Sequence, residues 1–202
     1  MTLTTEMQQA FDIIENSTDC LFITGKAGTG KTTFLKYLVD NTHKNIAVAA
    51  STGIAAVNAG WVTLHSLFAI PLGIQDPKGT MKGFLTTQKA NLLNAIDVLV
   101  IDEISLVRPD TIDYIDRKLR LARLCDKPFG GMQIVMFGDL YQLPPVIKKD
   151  EENLILMFYR GIYFFYAHAF RERGFHIIEL NQVFRQTDER FIAILNHIRQ
   201  YQ

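Results

Sequence analysis

Lys31 and Thr32 close the octapeptide Gly25-Lys26-Ala27-Gly28-Thr29-Gly30-Lys31-Thr32, a G-x-x-x-x-G-K-[ST] pattern. These residue types suit a polyphosphate. Glycines let backbone N–H groups approach phosphate oxygens with no Cβ in the way. A helix that starts at the end of the loop adds the partial positive charge of its N-terminus. In such a loop the lysine ammonium reaches the β- and γ-phosphates, and the hydroxyl that follows binds Mg²⁺. The expected nucleotide contacts therefore run from Gly25 through Lys26, Ala27, Gly28, Thr29, Gly30 and Lys31 to Thr32 and Thr33.

A second set of polar residues follows apolar runs. Asp102-Glu103 directly follows Asp97-Val98-Leu99-Val100-Ile101, the pattern known as Walker B. Asp102 is expected to share Mg²⁺ with Thr32. Glu103 is expected to act as general base toward an attacking water. Gln142 comes shortly after Gln133-Ile134-Val135-Met136-Phe137 and is a candidate γ-phosphate contact. Arg185 comes shortly after Phe175-His176-Ile177-Ile178-Glu179-Leu180 and is a candidate finger for charge developing on the γ-phosphate. The N-K-x-D signature that specifies guanine is missing, so ATP is the expected nucleotide.

The elements that must position these residues are legible as alternating patterns. Apolar runs at 20–24, 45–50, 97–101, 133–137 and 175–180 read as five buried strands. Helical spacing is seen at 4–16, 34–40, 86–96 and 188–199, and from Pro109 onward. Ile54 to Gly60 reads as a short helix closed by glycine, and Thr63 to Phe68 as another helical turn. Strands alternating with helices imply an α/β fold with a mostly parallel sheet and ligands at the strands' carboxyl ends. The Gly/Pro-rich stretch from Pro71 to Gly83 opens a small insertion near 71–95.

Composition narrows the class further. Lys+Arg and Asp+Glu number 21 each, so net charge is zero and the sum gives no hint of a nucleic-acid partner. A local basic groove is compatible with that sum, because steering depends on charge distribution. Cys20 and Cys125 sit among apolar residues, read as buried thiols, and fit a reducing compartment. Met1 to Asp12 is polar, unlike a signal peptide. Leu154 to Phe170 is apolar but interrupted by Arg160, Gly161 and His168, and reads as core helices rather than a membrane span. A soluble, cytoplasmic monomer is the expectation.

These residues carry a resemblance. Gly25–Thr32, Thr52-Gly53-Ile54-Ala55-Ala56, Thr63-Leu64-His65-Ser66, Asp102-Glu103-Ile104-Ser105, Gly138-Asp139-Leu140-Tyr141-Gln142-Leu143-Pro144-Pro145 and Val183-Phe184-Arg185-Gln186 stand in the order found in PIF-type helicases. These form the petite-integration-frequency and RecD-like branch of superfamily-one DNA helicases. The likeness runs over nearly the whole chain. It implies a RecA-like motor domain over 1–202, with ATP and Mg²⁺ as cofactors, single-stranded DNA as partner and 5′-to-3′ movement. By the same resemblance Lys31, Thr32, Asp102, Glu103, Gln142 and Arg185 take the nucleotide roles given above. Thr52, Gly53, Thr63 and His65 face the DNA strand, with His65 or Phe68 stacking on a base.

Two departures from the family pattern stand out. Its adenine-reading glutamine usually follows a Leu-Ser/Thr-x-Glu start, whereas Leu3-Thr4-Thr5-Glu6 is followed by Met7. Gln8 is the candidate, although a slip of one residue turns a helical side chain by about 100°. The family's second RecA-like domain has no counterpart in these 202 residues. The fragment alone is therefore expected to hydrolyse ATP weakly and not to unwind DNA, and the 71–95 stretch is a candidate strand-separating wedge. An ATP-gated DNA-binding module, or another P-loop ATPase without helicase activity, stays open. Glu103 speaks against the former, since a pure binder needs no base.

Overall fold

The computed structural model describes residues 2–53, 56–57, 60–79 and 85–184. The helix expected over 188–199 lies outside them, as does part of the one expected over 54–60. The chain begins with α1 (Thr5–Asn16), β1 (Leu21–Gly25), α2 (Lys31–Asn41) and β2 (Ile46–Ala50). There follow β3 (Val62–Thr63), α3 (Leu64–Phe68), α4 (Thr87–Ala95), β4 (Val98–Asp102) and α5 (Pro109–Arg123). Then come β5 (Gln133–Gly138), α6 (Lys149–Phe158), α7 (His168–Arg173) and β6 (His176–Leu180).

The strands form one six-stranded sheet in the order β3-β2-β4-β5-β1-β6. Every pairing is parallel. The fold is α/β, as the alternation of runs predicts, and RecA-like, as the resemblance implies. The strand missing from the expectation is β3, whose two residues are too few to leave a run in the sequence.

Alternation within the strands divides the core into two layers. Leu21, Ile23, Val98, Val100, Val135 and Phe137 face α1 and α2, where Met7, Ala10, Ile14, Phe34, Leu35 and Leu38 are buried. Phe22, Leu99, Ile101, Ile134 and Met136 face the other way, toward Ile112, Ile115 and Leu119 of α5 and Phe164. Two expectations about burial change. Cys20 is buried, but Cys125 is only half-buried, because it follows the exposed end of α5. The stretch from Leu154 to Phe170 is not uniformly core: Leu154, Leu156 and Met157 on α6 are exposed, while Ile155 and Phe164 are buried. None of the described helices is long and apolar enough to cross a membrane.

One face of α5 is polar and nevertheless buried. Asp110, Asp113 and Asp116 recur every third residue and so share that face. Each grips a different connection. Asp110 accepts from the Gln75 N–H at 2.8 Å, within the expected insertion. Asp113 accepts from the N–H groups of His168 and Ala169, at the start of α7. Asp116 accepts from the Phe129 N–H and pairs with Arg120. The start of the insertion is thus tied down, with Arg117 also donating to Asp76 O. Its later part, α4, packs Leu93 into the core.

Asp113→Ala is expected to lower stability by about 1–3 kcal/mol, since it strands two N–H groups. Asp113→Asn, which keeps an acceptor, should lose less. Urea unfolding followed by circular dichroism measures both; an Asp113→Ala midpoint equal to wild type would show that these bonds contribute nothing.

Candidate nucleotide and DNA site

β1 ends in the glycine loop, and the loop's shape depends on bare backbone. A Cβ on Gly25 would come within 2.7 Å of both Leu180 O and Thr29 Oγ1. Gly30 adopts φ 83°, the left-handed region, where it caps the start of α2. No side-chain cap bonds the first turn of α2, so that turn presents its end to the loop's concavity. The Lys31 ammonium donates to Gly25 O at 2.6 Å and to Lys26 O at 3.1 Å. Thr29 is buried and donates to Lys26 O, which braces the loop. Thr32 and Thr33 are exposed at the helix start. Together these features fit a polyphosphate: a narrow backbone cradle, a helix start with no side-chain cap bond and a lysine over the loop.

β4 delivers the second part of the site. Asp102 is the last residue of the strand, and Glu103 follows with φ 53° and ψ 46°. The left-handed conformation is costly for a side-chain-bearing residue, and such residues cluster at functional sites. The Glu103 N–H donates to Asp102 Oδ1 at 3.0 Å. Burial, and next the Glu103 charge, push the Asp102 carboxyl up to about 6; the Lys31 ammonium pulls the other way. Asp102 and Lys31 therefore feel each other's charge across the sheet.

β5 lies between the two, pairing Thr24 with Gly138 and Ile101 with Met136. At the usual strand spacing, this sets the ends of β1 and β4 about 10 Å apart. Gly138 is packed against the turn after Glu103: a Cβ there would meet Ile104 Cγ2 at 2.7 Å and the Ile104 and Ser105 nitrogens at 3.2–3.3 Å. The next residue, Asp139, is buried and organises the loop bearing Gln142. Its carboxylate accepts from Tyr141 N at 3.1 Å and Gln142 Nε2 at 3.3 Å, while its carbonyl accepts from Gln142 N. The sequence reading quotes Gly138 and Asp139 within a motif but assigns neither a role. The available signal was an aspartate just past a strand, a common way to close a turn.

Other expectations fare differently. Arg185 lies outside the described residues. Its neighbour Phe184 donates its N–H to Gly28 O at 2.9 Å, and its ring stands against Gly30. Gln8 does not face the loop. It is exposed and donates to Asp12 Oδ1 at 2.8 Å along the outer side of α1. Met7, one residue earlier, is buried and points its methyl at Gly30. The one-residue slip thus turns Gln8 away, and a thioether occupies the inward position.

The expected DNA residues collect at the far side of β4. Thr52 and Gly53 follow β2, whose Ala50 pairs with Asp102. The intervening Ser51 N–H donates to Asp102 O. Thr63 caps α3 by accepting from Ser66 N. His65 is exposed as a residue, and partial desolvation of its ring, next the Arg108 charge, holds its imidazole below the ordinary value. Phe68 does not belong with these residues. Only 1% of it is exposed, in the core beside Leu64 and Leu67, so its ring has no face for a base.

Comparison with known proteins identifies the family. The profile of the PIF1-like helicase family matches residues 2–200. ATP-dependent DNA helicase RRM3 of Saccharomyces cerevisiae is 38% identical over 205 residues, spanning 98% of this chain and 27% of the yeast protein. The crystal structure of Bacteroides Pif1 bound to ssDNA covers 100% of this chain and 47% of its own, at 55% identity and a TM-score of 0.95. Bacteroides Pif1 in complex with ADP-AlF3 and ssDNA gives the same TM-score at 54% identity, again with 47% of its own chain covered. The chain spans about half the length of these solved structures and about a quarter of RRM3. It belongs to the PIF1-like helicase family.

Gln8→Ala is expected to leave ATP affinity within about twofold of wild type, as for a surface change remote from the ligand. Gly25→Ala should weaken binding strongly, because its Cβ collides with the Leu180 carbonyl. Fluorescent-nucleotide titration reads both, and a large loss in Gln8→Ala would restore that residue to the site.

Proposed function

We propose that this member of the PIF1-like helicase family is the ATP-driven motor domain of a DNA helicase that moves 5′-to-3′ along single-stranded DNA. The observation that carries this reading is the placement of β5. It brings the phosphate loop, the acidic pair of β4 and the Gln142 loop to one edge of one sheet. That the related Bacteroides Pif1 has been solved with ADP-AlF3 and ssDNA supports the assignment of both ligands. A DNA substrate puts the work inside the cell.

Each residue then has a physical task. Lys31 exchanges its contacts with Gly25 O and Lys26 O for the β- and γ-phosphate oxygens. Thr32 and Asp102 would hold Mg²⁺, which when bound neutralises charge on the β- and γ-phosphates. A cation beside Asp102 also favours the ionised carboxylate that burial opposes. Glu103 takes the proton from the attacking water, its direction set by the left-handed turn. Gln142, tethered by Asp139, orients that water or contacts the γ-phosphate. Arg185 supplies positive charge to the γ-phosphate. Thr52, Gly53, Thr63 and His65 face the strand, and residues 71–95 form the candidate wedge.

Several groups of this site lie open at the surface, among them Thr32, Thr33 and Gln142. We therefore expect the isolated chain to bind nucleotide, turn it over slowly and leave a tailed duplex intact.

Lys31→Ala should weaken nucleotide binding. Glu103→Gln should keep binding and lower steady-state hydrolysis by about 10²–10⁴-fold, the range for a lost general base. Unchanged hydrolysis in Glu103→Gln, with and without oligo(dT), would remove Glu103 from that role. Gly138→Ala, which pushes the Ile104 turn, should reduce kcat while leaving nucleotide affinity near wild type. Adding Ile104→Ala should recover part of the loss, since it removes the carbon that the new Cβ strikes.

A further inference from the structure

The order of the strands fixes which way a nucleotide lies in the loop. β4, which carries Asp102 and Glu103 at its end, stands two strands to one side of β1. A triphosphate cradled after β1 turns its γ end toward that pair. Its nucleoside end therefore leaves toward the other side of β1. There stand β6, the segment 181–184 that follows it, and α1, which shares a core layer with Ile178 and Leu180 of β6.

Two apolar groups of this side reach the loop at Gly30. A Cβ built on Gly30 would meet the Met7 methyl at 3.1 Å and two carbons of the Phe184 ring at 3.3 and 3.5 Å. Met7 has no exposed surface, whereas Phe184 keeps 51% of its own. The Phe184 N–H donates to Gly28 O at 2.9 Å, which ties this residue to the loop itself. The nucleoside side of the loop is thus edged by an aromatic ring and a sealed thioether. Contact with a ring is tolerant of base identity, because every base has a π-face.

The polar groups on the same side are engaged elsewhere. The Thr4 hydroxyl accepts from the Met7 N–H, and the Asn181 amide donates to Glu179 O at 3.2 Å. Glu6 is hydrogen-bonded by its own N–H, by Thr4 and by Asn181, and these bonds hold its carboxyl below the usual range. Gln8 donates to Asp12 along the outer side of α1. Gln182 is exposed, and its amide offers both a donor and an acceptor, either of which can turn toward a base. Strong discrimination needs the opposite: buried polar groups that the wrong ligand leaves unpaired. The described residues hold three buried side-chain polar atoms without a partner, on Ser51, Ser105 and Tyr159, and none belongs to α1, β6 or 181–184.

We infer that this site reads the triphosphate and not the base, so that its substrates are the nucleoside triphosphates as a class. The inference rests on the proposed function and widens the substrate of that same site. The loop backbone, Lys31 and Thr32 address phosphate oxygens that ATP, GTP, CTP and UTP share. The base adds apolar contact of similar strength in each case.

The test is competition for the 202-residue chain. A fluorescent ATP analogue is bound with Mg²⁺ and displaced by unlabelled ATP, GTP, CTP or UTP. The four Kd values are expected to agree within about tenfold, the equivalent of no more than one net hydrogen bond to a base. A spread beyond tenfold overturns the inference and leaves the motor reading standing. If the analogue does not bind, both readings fall. Phe184→Ala keeps the N–H to Gly28 and removes the ring. It should change all four Kd values by a common factor; a loss confined to one base overturns the inference.

Discussion

The peptide joining Asp102 to Glu103 is restrained on three sides, and both halves of the site depend on it. Its carbonyl accepts from the Ser51 N–H, and its N–H donates to the carboxylate of Asp102 itself. Just beyond, Gly138 leaves no room for the Ile104 turn to move toward β5. A left-handed Glu103 costs about 1–2 kcal/mol, so it persists only where the surroundings over-determine it. That restraint aims the proposed base. It also makes Thr52, one residue beyond Ser51, a covalent neighbour of the same hydrogen bond.

α5 plays the corresponding part on the opposite layer. Its three buried aspartates hold the start of the insertion, the start of α7 and the turn at Phe129. Burying three carboxylates is unfavourable unless each is satisfied, and each here accepts backbone N–H groups or pairs with arginine. For Asp116, burial still outweighs Arg120 and the Phe129 N–H, so its carboxyl stays above the usual range. The helix therefore acts as a polar spine inside an apolar layer.

Local patterns in the chain determined a good deal. The octapeptide before α2, the run ending in Asp102-Glu103 and the alternation of strand and helix signals are short-range features. Phosphate binding, acidic chemistry at a strand end and a parallel sheet follow from them by residue type and period alone. The order of motifs pointed to the family for the same reason: each motif is a contiguous stretch.

Tertiary structure decided what depends on neighbours far apart in sequence. Strand order is one such matter, because nothing local says that β5 runs between β1 and β4. Burial is another: Phe68 looked available to a base until the packing of α3 enclosed it. Gln8 and Met7 differ by a single helical step, and only the contact of α1 with Gly30 shows which of them faces the loop. The support around Glu103 comes from residues about 35 and 50 positions away. Residue types set the chemistry within each motif; the packing of the sheet decided which motifs meet.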